Sequence, residues 1–187
     1  MSFLRRRSGR RPARLDPPAD GATGFHCSVC GGWHRELPQA FHIAGPDAWS
    51  RKLWRVKGCE LSSDMCVIRD EEFFVRGLVR VPVAGLDEPF QWGLWVSVAR
   101  DDLVQMAEAW ETPGRESMPA AQGQLANNLP VFDEPTLGLH VLVHTQPVGE
   151  RPHIELVEDG HPLTAEQRNG TSHEAFVARV ARLLHAS

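Results

Sequence analysis

Phe73-Phe74-Val75-Arg76-Gly77-Leu78-Val79-Arg80-Val81-Pro82-Val83 and, seven residues on, Phe90-Gln91-Trp92-Gly93-Leu94-Trp95-Val96-Ser97-Val98 decide the fold of this chain. In residues 73–83, Phe73, Val75, Val79 and Val81 fall on one side, and Arg76 and Arg80 on the other. That is the period of two expected of a strand with one face in a core. In residues 90–98, Phe90, Trp92, Leu94, Val96 and Val98 face one way, and Gln91, Gly93, Trp95 and Ser97 the other. Pro82 and Gly85 end the first strand, so the two are expected to pair antiparallel through the 82–89 connection.

Working outward, Asp101–Glu111 reads as a helix with Leu103, Met106, Ala107 and Trp110 as its apolar stripe. Asp101 and Asp102 suit the positive end of its dipole, and Thr112-Pro113-Gly114 stops it. Residues 113–136, with Pro113, Pro119, Pro130 and Pro135, read as an irregular connection, long enough to be functional or to hide a short element. Leu137–Thr145 is expected as a strand with Leu137, Leu139, Val141 and Val143 inward, and Ile154–Val157 as another. Thr171-Ser172-His173-Glu174 has the form of a capping box opening a last helix, with Phe176, Val180, Leu183 and Leu184 on its core face. Upstream, Pro46 with Trp49, Leu53 and Val56 at helical spacing predicts a short helix. The expected class is α+β: a mostly antiparallel sheet of four to five strands, two to three helices and an N-terminal zinc-knuckle-like element.

Charge is unevenly spread. Arg5, Arg6, Arg7, Arg10, Arg11 and Arg14 stand in a stretch without acids, and the rest of the chain carries 14 basic against 24 acidic residues. Residues 1–23 offer little to bury and are expected to be a disordered arginine-rich arm, with residues 24–187 forming a single domain. An acidic body is a poor nucleic-acid binder; residues 5–14 could add weak contact with phosphates. The arm lacks the apolar stretch of a secretory signal, and no run of 18 apolar residues suggests a membrane span. A cytoplasmic protein is therefore expected, in which cysteines act as metal ligands or buried thiols rather than disulfides.

Phe25-His26-Cys27-Ser28-Val29-Cys30-Gly31-Gly32-Trp33-His34 has the shape of a zinc knuckle. A tight turn can bring two thiolates onto one ion, and the glycines let backbone N–H groups approach the sulfurs. Zinc needs four ligands. Cys59 and Cys66 could supply the second pair at a looser spacing, with His34 as a rival and His26 a weaker one. His140 and His144 do not suggest a shared ion, because four residues of strand span roughly 13 Å. His144, Gln146, Arg151, His161 and Gln167 lie in a polar stretch at strand ends and loops, where ligands are often bound. They could equally serve backbone groups and acids. No G-x-S-x-G, H-E-x-x-H, P-loop or G-x-G-x-x-G occurs, so no enzyme signature stands out.

Five blocks carry a family resemblance: Phe25–Pro38, Leu61-Ser62-Ser63-Asp64-Met65-Cys66-Val67-Ile68, Phe73-Phe74-Val75-Arg76-Gly77, Trp92-Gly93-Leu94-Trp95-Val96-Ser97, and Val143–Pro152 followed by His161-Pro162-Leu163 and Glu166-Gln167-Arg168. Over about residues 25–185 the chain resembles an uncharacterised bacterial family, domain of unknown function 2199. The resemblance implies a bacterial cytoplasmic protein with no assigned activity. It also implies Cys27, Cys30 and Cys66 as metal ligands, with His34 ahead of Cys59 as the fourth. The chain departs from the family at Ala99, where a serine tends to cap the following helix.

The leading expectation is a zinc-stabilised module binding a protein or small molecule in a polar groove. A hydrolase-like enzyme using His144, Arg151 and His161 is the alternative, and a nucleic-acid-associated factor acting through the arm is a third. Deleting Met1 to Asp20 should leave the melting temperature within a few degrees of the full chain, since the segment has almost no apolar side chains to bury. A larger fall in a thermal melt would mean that the arm packs on the body.

Overall fold

A computed structural model describes residues 24–185. The expectations for the arginine-rich arm lie outside the described residues. Among the described residues the class is α+β with three helices, but the main sheet, expected with four to five strands, has eight, five of which close into a barrel. The strands are β1 (Phe25–His26) and β2 (Trp33–His34), which form a separate two-stranded sheet, and β3 (Ala40–His42), β4 (Glu60–Leu61), β5 (Met65–Ile68), β6 (Glu72–Val81), β7 (Phe90–Val98), β8 (Ala121–Leu125), β9 (His140–His144) and β10 (His153–Leu156). The helices are α1 (Arg100–Glu108), α2 (Pro162–Asn169) and α3 (His173–Leu184).

The β6–β7 hairpin forms as the sequence implies, antiparallel from Phe73↔Val98 to Val81↔Phe90. From there β7–β8, β8–β9 and β9–β10 each pair antiparallel. Five strands that each reverse the one before bring the last back parallel to the first, and β10 does pair parallel with β6, His153 opposite Leu78. This closes the barrel and removes its edges. Both long strands serve two neighbours along one edge. β6 pairs with β5 over Glu72–Val75 and with β10 at Leu78; β7 pairs with β3 over Gln91–Gly93 and with β8 over Val96–Val98.

Closure buries the inward face of the hairpin. Val75, Val79, Phe90, Trp92, Leu94, Val141, Val143, Ile154 and Leu156 fill the barrel, capped by Leu163 of α2 and by Phe176 and Val180 of α3. Phe74 and Trp95, on the opposite face, join Leu53, Cys66 and Ile68 in a second cluster. Trp95, expected outward, is thus buried and donates its indole N–H to the Ile43 carbonyl at 3.0 Å.

Other expectations need correction. The stretch at 46–56 forms only a 3-10 turn, Arg51–Arg55, with Leu53 alone buried in it. Ser50 makes no capping bond there, and Gly58 adopts a positive φ just beyond. The irregular stretch contains β8. Its remainder is held by polar side chains: Asn127 accepts from the Trp95 N–H and donates to the Gly45 carbonyl and Asp47, while Thr136 bridges the Asn127 carbonyl and the Leu129 N–H. Leu137 is 53% exposed, because the chain turns at Gly138 before β9 begins. The N-cap of α3 is Ser172, accepting from the Ala175 N–H, one residue later than the box would place it. Helix α2 escaped the sequence reading because Leu163 is its one large buried apolar residue.

Gly77 sits at the seam, where an added Cβ would lie 2.7 Å from Ile154 and 2.8 Å from the Pro152 carbonyl. Gly93 would also meet a neighbour, but only the exposed ring of His42, which can swing away. Gly77→Ala should therefore cost about 1–3 kcal/mol in denaturant unfolding, and Gly93→Ala clearly less. His153 lies at the same seam with Nδ1 buried and unpartnered. Burial, then the charges of Arg80 and His144, hold its pKa below the ordinary 6.5, although the Leu78 backbone and Glu155 oppose this. The unfolded chain then takes up the proton first, so stability is lost as pH falls below about 6.5. Melts between pH 8 and 5 should show a smaller acid-side loss for His153→Gln than for the parent.

Candidate functional site

β1 and β2 form a two-stranded hairpin with Phe25 opposite His34. The turn is set by backbone bonds: the Cys27 N–H donates to the Gly32 carbonyl and the Gly31 N–H to the Cys27 carbonyl, each at 2.9 Å. Gly31 makes this possible with φ +70, which a side chain would strain. The Phe25 and His34 rings stack with centroids 5.0 Å apart, and the His34 Nε2 lies 3.5 Å from the Cys30 Sγ.

The fourth member comes from the far end of the chain. α3 delivers His185 beside the hairpin, its ring 5.7 Å from that of His34. One ligand atom each from Cys27, Cys30, His34 and His185 lies within 4.8 Å of the others, so the group could hold a metal ion. Around a tetrahedral ion with bonds of 2.0–2.3 Å the donors would stand roughly 3.5 Å apart, a modest contraction. Burial pushes the Cys27 thiol up, but the N–H groups of Cys30 and Val29 and the Cys30 side chain bring it below its ordinary value. That favours the thiolate a metal needs.

Cys66, expected in this set, is not part of it. It is buried with Leu53, Ile68 and Phe74, and burial, helped by Cys59 and Glu72, pushes its thiol up to about 12. It packs as a small apolar side chain. Cys59 stays on the same side of the molecule and accepts from the Arg69 N–H.

The five expected ligand-binding residues are not gathered in one place. His144 meets Glu155 at 2.8 Å on the exposed β9–β10 surface. His161 is buried and caps α2, its Nδ1 accepting from the Leu163 N–H. Gln167 accepts from the Leu156 N–H and donates to the Ile154 carbonyl, so its amide serves β10 as an extra strand would. The Gln146 amide folds back onto the carbonyls of His144 and Thr145. Only Arg151, paired with Asp64 at 2.6 Å, lines a substantial groove.

That groove has a volume of about 430 Å³, with Leu78, Arg80, Trp110, Arg115, Gly149 and Arg151 in its wall, together with the acids Asp64, Glu111 and Glu150. Arg115, at 4% exposure, organises it. Its guanidinium donates to the carbonyls of Trp110, Gln146, Pro147 and Glu150 and stacks 4.7 Å from the Trp110 ring. No carboxylate among the described residues pairs with it, so its charge is offset by carbonyl dipoles. The sequence reading missed Arg115, Arg80 and Trp110, because only the folded loops bring them together. A second hollow of about 680 Å³, lined by Phe73, Val98, Leu125 and Leu137 among others, borders the second cluster.

Among the described residues, no helix is long and apolar enough to cross a membrane. Comparisons with curated proteins and with solved structures found no match. A family model does match, over residues 26–171, a span that takes in the knuckle, the barrel and α2 and stops before α3 and His185. The chain belongs to that family, DUF2199, described as an uncharacterized protein conserved in bacteria.

Proposed function

We propose that the protein is a zinc-clasped binding module that takes a small molecule in the groove walled by Arg80, Trp110, Arg115 and Arg151. The observation that carries this reading is the approach of Cys27, Cys30, His34 and His185 to within 4.8 Å. Two thiolates and two imidazoles suit zinc, and four protein ligands leave no open position for catalysis. The ion is therefore structural, tying the N-terminal hairpin to the end of α3. Function then falls to the groove, whose size is that of a small-molecule site. Free Cys59 and Cys66 fit a reducing compartment such as the cytoplasm. The hydrolase-like alternative has less support, since His144, Arg151 and His161 are engaged with three different parts of the fold. Residues 5–14 would contribute only salt-sensitive contact with nucleic acid.

Elemental analysis and native mass spectrometry should find one zinc per chain. Cys27→Ser and His185→Ala should each lose it and melt at lower temperature, because a structural metal contributes folding free energy and three ligands hold zinc poorly. Cys66→Ser should keep the full zinc content. A chain that binds no metal, or one in which Cys66→Ser and not His185→Ala loses it, would overturn the assignment.

A further inference from the structure

We infer that the groove at Arg151, next to the neighbouring Arg76, binds an oxyanion, the phosphate or carboxylate group of a small molecule. The inference rests on the reading of the groove as a ligand site and gives that ligand a charge. Arg76, Leu78 and Arg80 alternate along one face of β6, and Leu78 and Arg80 already line the groove. Asp64 joins the face from the β4–β5 turn, its backbone carbonyl accepting from the Arg76 N–H.

Positive charge there exceeds its local counter-charge. Arg76 makes no ion pair among the described residues. One of its terminal N–H groups reaches the Ser63 carbonyl at 3.3 Å, while its Nε is buried with no partner. The nearby acid, Asp64, is already engaged by the Arg151 Nε and the Ser63 hydroxyl. Arg151 thereby commits one edge of its fork, and its two terminal nitrogens have no protein partner among the described residues. Burial and then the Arg151 charge disfavour the cationic form of Arg76, with Asp64 offsetting only part. Burial, Arg76 and Arg151 do the same to His42. Further along, Arg80 reaches Glu150 only at 3.7 Å in an exposed, weak pair. An oxyanion received by the two free Arg151 nitrogens, beside Arg76, would relieve the repulsion between the two guanidinium groups, and the paired N–H donors of a guanidinium suit phosphate and carboxylate.

The test is calorimetric titration of the zinc-loaded full chain at constant ionic strength set with chloride. Inorganic phosphate, citrate and the cation arginine amide serve as probes. Saturable binding of phosphate or citrate is expected, and the tighter of the two identifies the source of the oxyanion. Arg76→Gln and Arg151→Gln should each raise Kd at least tenfold. Arg151→Lys, which keeps the charge at Asp64 and loses the fork, should raise it at least threefold and covers the case in which a glutamine variant fails to fold. Arg168→Gln, which breaks a pair with Asp159 elsewhere, should stay within twofold. Absence of saturable binding by both anions, or a Kd unmoved in the arginine variants, overturns the inference. Saturation by arginine amide instead would overturn it too, while leaving the groove as a ligand site; zinc content, measured separately, stands or falls alone.

Discussion

The parallel contact of β10 with β6 is the constraint on which the rest depends. The Leu78 N–H donates to the Pro152 carbonyl at 2.8 Å, and Ile154 packs where Gly77 has no side chain. This seam converts a meander into a closed barrel, and a closed barrel has an inside into which the apolar faces of all five strands can point. It also fixes where Arg151 can be, since Pro152 at the seam directly follows it. The groove borders the line along which the barrel shuts.

A second constraint acts on the loop before the seam. Arg115 gathers three carbonyls of residues 146–150 with that of Trp110, so one side chain holds together a loop and the end of a helical segment that the barrel alone would leave apart. Burying a full charge without a carboxylate partner is costly unless dipoles replace the lost water. Four carbonyls do so here, and the loop is ordered as a consequence. Fold and groove are thus coupled through backbone groups, which any sequence at residues 147–150 could supply provided Gly149 keeps its positive φ.

What could be read from sequence follows the reach of the signals. Alternation at 73–81 and 90–98 marked the antiparallel hairpin, and the stripes of α1 and α3 marked both helices, because these patterns are local, although Ala107 and Leu184, expected inward, are exposed. Closure was not legible: an alternating strand looks the same in an open sheet and in a barrel, and Gly77 reads as a weak position until Ile154 is seen against it. Helix α2 lacks a stripe because it only lids the barrel end. Three of the four residues of the candidate metal group lie within eight positions; spacing marked Cys27 and Cys30, and left His34 as one of several candidates until the resemblance favoured it. His185 stands 151 residues beyond His34, and nothing in its surroundings marks it. Cys66 was singled out by the family resemblance alone, and its strand turns it into the second cluster.

The clasp between hairpin and α3 also orders events in time. A ribosome makes Cys27, Cys30 and His34 early, and His185 only after all the strands of the barrel have been made. A nascent chain short of His185 carries just three of the four side chains that could hold an ion. The full set of four exists only after α3 has been made. Were an ion held by these four side chains, its retention would distinguish finished chains from interrupted ones.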